Sequence, residues 1–362
     1  MKKLFILAAA IIALASCSKE QASYVEDGSI KFTTMETRTA VSDINDLEGA
    51  GNGFTVFGFA NDVKIFDNVD ATYATDGTKK WWEMATKRYW ADNTTYNFFA
   101  VYPKVTGDNK FTLATEGEET VAEISFTNDG KTDLILAGTQ VKTTTGTDGA
   151  GHGPAHMTFK HALSRVAFAF KNGYKPAENS SPIYIEVKDL QFVDEKGTGT
   201  ANIKTVVGQN EQAITWNEIT KDGNISFMEE NIVDDENKTE MFTNAGYIAK
   251  DETATTDYKY IFPAVDAEYE IACKITAYYD INGDKQLTDA DDVIREFDYT
   301  SKYITLAVNK ATKFTHEMGK SYTYTMTVAE NLNEITFTVN VEDWTPGGSA
   351  DIDFPGDNST SN

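Results

Sequence analysis

The sequence predicts an all-β protein, two β-sandwich domains in tandem with minor helical insertions, and three observations carry that prediction. Short runs in which apolar and polar residues alternate recur along most of the 362 residues, which is the period of a half-buried strand. β-Branched and aromatic residues dominate these runs, and Gly, Asn, Asp or Pro bound most of them, as pleated surfaces joined by turns require. Helical periodicity is sparse: Lys79–Trp90 and Asn231–Phe242 have some helical character, but neither reaches two clean apolar turns. Many short strands without interleaved helices fit sandwiches better than a parallel sheet. The length exceeds one typical domain, which favours two.

The first segment is not part of the fold. Lys2 and Lys3 precede an unbroken apolar run of 12 residues, Leu4 to Ala15. A helix needs about 20 residues to cross the hydrocarbon core, so residues 1–16 read as a signal peptide to be removed. Leu14-Ala15-Ser16-Cys17 resembles the lipobox of bacterial lipoproteins. That resemblance implies that Cys17 is acylated and becomes the first residue of the mature chain. Several acyl chains, each worth about 0.8 kcal/mol per buried CH₂, anchor a protein stably. Residues 17–28 are polar and read as a tether.

Alternation begins at Ser29, with Ile30 and Phe32 on one side of a strand running to Glu36. It recurs in Phe54–Phe59, Tyr96–Tyr102, Arg165–Phe170, Tyr184–Val187, Ile271–Tyr279 and Ile335–Val341. The Gly- and Thr-rich stretch Thr143–Pro154 has no apolar period and reads as a linker or long hairpin. The expected domains are therefore 29–156 and 157–354, with 355–362 a polar tail.

Removing residues 1–16 takes away two lysines and moves the formal charge from −24 to −26. Nucleic-acid affinity comes largely from Lys and Arg neutralising phosphates, so a polyanion of this charge argues against nucleic-acid binding. With Cys17 acylated, Cys273 is the one remaining thiol and no internal disulfide can form. Stability has to come from packed cores.

Arg88-Tyr89-Trp90 followed by Tyr96-Asn97-Phe98-Phe99-Ala100-Val101-Tyr102-Pro103 resembles the aromatic block of fimbrillin-type proteins of Bacteroides and its relatives. Asp133–Ala137 with Phe159–Val166, and then Val339–Trp344, resemble the middle and closing blocks in the same order. The resemblance implies two transthyretin-like β-sandwiches and export as a lipoprotein to the outer-membrane surface. It also implies assembly into a fimbrium with other pilus subunits, supporting adhesion to a host or bacterial surface ligand. In that scheme a trypsin-like protease cuts after an arginine just past the first strand. Arg38 is the one arginine before Arg88. Losing the strand would leave backbone groups without partners, and a donor strand from another subunit could fill the groove by β-augmentation. The candidate donor is Glu334–Phe354, where Ile335, Phe337, Val339 and Val341 alternate with polar residues. Plainer readings stand beside these: Arg38 as an exposed loop arginine, and the C-terminal strand completing its own sandwich. The alternative function is a stand-alone surface lipoprotein that binds glycan or protein ligands.

The sequence offers no argument for an enzyme, and no cofactor is required. It lacks a Gly-x-Ser-x-Gly elbow, a phosphate-cradling Gly-x-x-x-x-Gly-Lys-Ser/Thr, a Cys-x-x-Cys pair and a His-Glu-x-x-His. With 56 acidic residues, a glycosidase-like carboxylate pair cannot be picked out by counting. His152, His156 and His161 cluster in sequence, but the first lies in the Gly-rich stretch and the last in a strand, which argues against a shared zinc. Trp81, Trp82 and Trp90 could stack on a sugar, although core packing accounts for them better. One spacing carries metal chemistry. Counting from Asp280, oxygen-bearing side chains fall at loop positions one, three, five, seven, nine and twelve: Asp280, Asn282, Asp284, Gln286, Thr288 and Asp291. That is the ligand spacing of a calcium loop. Lys285 stands where such loops place Gly, and Asp291 where they place Glu. An acidic hairpin is the plainer reading.

Overall fold

A computed structural model describes residues 28–34, 53–61, 63–76, 79–104, 111–116, 119–145, 153–173, 183–205, 213–227, 247–249, 253–267, 269–282, 292–298, 314–328 and 335–343. Every regular element among them is a strand. Six of the seven alternating runs fall within strands, because alternation places side chains on opposite faces of a pleated backbone; the first, Ser29–Glu36, has its strand at Phe32–Thr34, and its last two residues lie outside the described ones.

The first sheet runs in the order Lys160–His161, Ile135–Lys142, Thr95–Tyr102, Phe54–Ala60, Val63–Asp76, Lys79–Met84, Phe32–Thr34, Ala155–Met157. Its two end strands are joined by Thr158 and Phe159 alone. A link that short spans about 10 Å, so the sheet curls until its ends meet. Inside the curl lies a core of Phe32, Phe54, Val56, Trp82, Phe98 and Phe159 with their neighbours.

The middle strands of this sheet are buried on both faces. Phe54 and Val56 point into the curl, while Phe57 and Phe59 join Phe99, Val101 and Leu136 in a second core on its outer face. Nearly continuous hydrophobicity is what such doubly covered strands need. Gly58 belongs to the inner face, where a Cβ would come within 2.6 Å of the Phe66 ring and 3.0 Å of the Phe98 ring.

A second sheet centres on the long strand Ile183–Thr205. Its first half pairs with Glu270–Tyr279 and its second half, from Gly197, with Glu119–Asn128. Asp189 and Asp194 take positive φ values of 55° and 52° beside shifts of register, bulges that bend the strand. One strand thereby serves two cores. Ala201 and Ile203 pack on the outer face of the first sheet, whereas Ile185, Val187 and Phe192 enter a third core. That third core is closed by a sheet in the order Thr253–Thr255, Ser164–Asn172, Lys320–Val328, Ile335–Asp343, which contributes Phe168, Tyr324 and Met326.

The helical reading of Lys79–Trp90 is overturned: Lys79–Met84 is a strand antiparallel to Val63–Asp76. Trp82 and Met84 are buried two residues apart, with the Trp82 ring 4.8 Å from Phe54 and 5.2 Å from Tyr73. Cross-strand aromatic packing outweighs a local propensity too short to nucleate a helix. The other helical expectation, Asn231–Phe242, lies outside the described residues.

Candidate functional site

The segment Gly28–Thr34 closes the curled sheet. Phe32 is opposite Trp82 in an antiparallel pair, and Phe32, Thr33 and Thr34 run parallel to Ala155, His156 and Met157. Backbone bonds extend this pairing: the Ile30 N–H donates to the Arg88 carbonyl at 2.7 Å, and the Ala155 N–H donates to the Lys31 carbonyl at 2.8 Å. Ser29 bridges Tyr89. The strand is thus inserted between two others.

Its side chains follow the alternation. Ile30 and Phe32 are 2% and 0% exposed. The Phe32 ring stands edge-on to Phe98 at 5.0 Å, and Trp90 meets the same Phe98 ring at 5.9 Å. On the other face the Lys31 ammonium lies 5.2 Å over the Trp81 ring, and the Thr33 hydroxyl is hydrogen-bonded to His156 Nδ1 at 2.6 Å. Burying two such apolar side chains contributes about 3–6 kcal/mol, all of it from a segment at the start of the fold.

The C-terminal strand lies at the far end of the molecule's strand order. Ile335–Asp343 pairs antiparallel with Lys320–Val328 without a break, from Val328 opposite Ile335 to Lys320 opposite Asp343. It is an edge strand among the described residues. Val339 and Val341 are half-buried against the third core; for Ile335 and Phe337 the backbone pairing alone is described.

Other residues singled out in the sequence separate. Cys17 and Arg38 lie outside the described residues. Glu270–Tyr279 and Asp292–Asp298 form a hairpin closed by Tyr279 opposite Asp292, so the segment between them is Asp280–Asp291. Asp280 is buried and Asn282 exposed; Asp284, Gln286, Thr288 and Asp291 lie outside the described residues. Among the described residues no three His, Cys, Asp or Glu side chains are grouped to hold a metal. His156 is engaged with Thr33, while His161 Nδ1 meets Asp133 Oδ2 at 2.6 Å in a buried pair; His152 lies outside the described residues. Trp81, Trp82 and Trp90 are all buried, which leaves no stacking platform there.

One constellation had no sequence signal, because its members come from separate elements spread between residues 195 and 324. Glu195 and Lys221 form a salt bridge at 2.7 Å, and the Lys221 ammonium lies 5.5 Å from the Tyr269 ring centre. Tyr269 stands edge-on to His316 at 4.4 Å, and His316 Nε2 is hydrogen-bonded to the Tyr324 hydroxyl at 2.6 Å. Burial pushes the Glu195 carboxyl up to about 6, with the Lys221 charge opposing. Burial, aided by the Lys221 charge, pushes the His316 imidazole down to about 3. The arrangement lies against the third core, to which Tyr269 and Tyr324 belong.

A family model described as fimbrillin-like matches residues 37–344. A fimbrial protein from Bacteroides vulgatus is similar in structure, with a TM-score of 0.55 at 17% identity, covering 88% of this chain and 99% of that one. The fimbrial anchor protein Mfa2 from Porphyromonas gingivalis is also matched, with a TM-score of 0.32 at 12% identity over 89% of this chain and 99% of that one. None of the curated proteins matches the sequence.

Proposed function

Because the chain belongs to the fimbrillin-like family, we propose that it is a structural, non-enzymatic subunit of a cell-surface fimbrium. It is exported as a lipoprotein acylated at Cys17 and held at the outer membrane. A cut after Arg38 releases its first strand, and a strand from another pilus subunit takes the vacated place. The observation that carries this reading is the seat of Gly28–Thr34. A terminal segment four residues before Arg38 supplies Ile30 and Phe32 to the first core and hydrogen-bonds on both sides. Its loss would expose both an apolar groove and two unpaired strand edges, which is the substrate that β-augmentation needs.

The test is treatment of the full-length protein with an arginine-specific protease. Expected are a single early cut after Arg38 and SDS-resistant ladders, both abolished by Arg38→Ala. A cut chain that stays monomeric would sink the polymerisation reading.

A stand-alone surface lipoprotein that binds glycan or protein is the second reading. The unbroken ladder between Ile335–Asp343 and Lys320–Val328 favours it, since the candidate donor already has a place in its own sheet. Glycan-array binding by the uncut monomer would decide for it. In either reading the Asp280–Asp291 loop is a candidate calcium site that would stiffen a hairpin rather than catalyse.

A further inference from the structure

We propose that the Arg88–Tyr89 peptide bond is a cleavage site for an arginine-specific protease, closed while Gly28–Thr34 is seated and open once that strand has left its place. This goes beyond the proposed function. It concerns what becomes of a chain whose first strand has gone and has not been replaced, and it holds for any opening of that seat, whether or not Arg38 is cut.

The chain has four arginines, Arg38, Arg88, Arg165 and Arg295. Arg165 sits in a strand with neighbours on both sides, opposite Tyr260 and Ser321, and Arg295 lies in a hairpin strand opposite Ala277. Arg88 differs from both. It belongs to the connection between Lys79–Met84 and Thr95–Tyr102, where five successive residues, Ala85 to Tyr89, are exposed. Its guanidinium donates to surface carbonyls, from Nε to Ile65 at 3.1 Å and from Nη1 to Lys87 at 3.4 Å, bonds that a protease pocket can replace.

The backbone is what shields the bond. A protease takes its substrate as an added strand and draws the scissile carbonyl onto its own donors. In the seated state that carbonyl is taken, because the Arg88 C=O accepts the Ile30 N–H at 2.7 Å. Past the scissile bond the Trp90 N–H donates to the Gly28 carbonyl at 3.4 Å, and Tyr89 forms an antiparallel bridge with Ser29. Gly28–Ile30 therefore occupies the backbone edge that a protease needs. Trp90 meets the same Phe98 ring as Phe32, at 5.9 Å and 5.0 Å, so loss of the strand also removes a wall beside Trp90. Farther on the connection is pinned independently of the strand: the Ala91 N–H donates to the Tyr96 hydroxyl at 2.7 Å, and the Thr143 hydroxyl donates to the Ala91 carbonyl at 2.6 Å. Opening is thus confined to the stretch that holds Arg88. Hydrolysis adds one water across the bond, leaving a carboxylate on Arg88 and an ammonium on Tyr89. The three strands from Phe54 to Met84 are then severed from Thr95–Tyr102 in the chain and, among the described residues, stay attached to it through the ladder of Phe54–Ala60. A chain left open is dismantled at Arg88.

The experiment is a time course of the full-length chain with an arginine-specific protease, read by intact mass. In the parent the cut after Arg38 is expected first, and the cut after Arg88 in molecules that have lost the first fragment. Arg38→Ala should slow the Arg88 cut at least tenfold. Adding Phe32→Ala to Arg38→Ala should raise it again at least tenfold, while the cut after Arg165, which reports opening of a different sheet, rises less than threefold. Ile30→Ala in the same background serves if the Phe32 variant does not fold, and Arg88→Lys should remove the product throughout. If the parent loses its first fragment and is cut at Arg88 no faster than Arg38→Ala, the guard is overturned while strand release stands. Resistance at Arg38 counts against strand release instead, and the variants in the Arg38→Ala background then decide. No rise at Arg88 in them, or an Arg165 cut that keeps pace with it, overturns the guarded site.

Discussion

Phe32 stands edge-on to Phe98 with ring centres 5.0 Å apart at 83°, so the first strand reaches the centre of the first core rather than lying over its edge. Truncating Phe32 to Ala should cost the uncut protein about 3–5 kcal/mol, the range for buried aromatics. The protein cut after Arg38 and stripped of its first strand should be unaffected by the same change. Denaturant midpoints before and after proteolysis test this. Equal losses in both forms would mean that the segment stays bound.

Asp133 and His161 tie the strand Ile135–Lys142 to the short strand beside it, 2.6 Å apart with both side chains largely buried. Asp133→Ala removes that partner and should cost about 1–3 kcal/mol. A double-mutant cycle with His161→Leu should recover part of the loss, since the removed groups depend on each other. Strict additivity in the unfolding free energies would show the pair to be uncoupled.

Stability should depend on acid through His316 and Glu195 with opposite signs. The folded His316 titrates at about 3, below its ordinary 6.5, so below pH 6.5 the unfolded chain binds a proton that the folded one refuses. Its contribution is present above pH 6.5 and is lost as pH falls towards 3, by about 1.4 kcal/mol per unit. Glu195 titrates at about 6 in the fold, above its ordinary 4.5. The folded chain takes up that proton first, and its contribution of about 2 kcal/mol is gained as pH falls from 6 to 4.5. Relative to the parent, His316→Gln should flatten the acid limb of the unfolding midpoint, and Glu195→Gln should steepen it between pH 6 and 4.5. A His316→Gln variant with the parent's slope would refute the assignment.

The loop Asp280–Asp291 predicts a metal response. Calcium should raise the melting temperature and a chelator reverse it, with Asp280→Ala abolishing the effect. An unchanged melting temperature with saturating calcium removes the site.

Strand existence was legible where alternation was clean, as at Phe54–Ala60 and Glu270–Tyr279, because the two-residue period is a property of the local backbone. Lys79–Met84 was not, since its two adjacent tryptophans suit either conformation until Tyr73 and Phe54 are known to lie against Trp82. The seat of the first strand was half legible. Ile30 and Phe32 announced an inward face, but nothing local pointed to Ala155–Met157 as a parallel neighbour more than 120 residues away. The Glu195, Lys221, Tyr269, His316 and Tyr324 cluster was invisible for the same reason.

The sequence by itself determined that the chain is β-rich and acidic, which face of each clean strand is apolar, and the order of its family blocks. The tertiary structure alone decided which strands are neighbours, that Ile183–Thr205 serves two cores, and that the first strand is wedged between two others. The division has one physical cause. Side-chain alternation is written residue by residue, whereas pairing is chosen by packing and hydrogen bonding between segments whose separation along the chain carries no record of their contact.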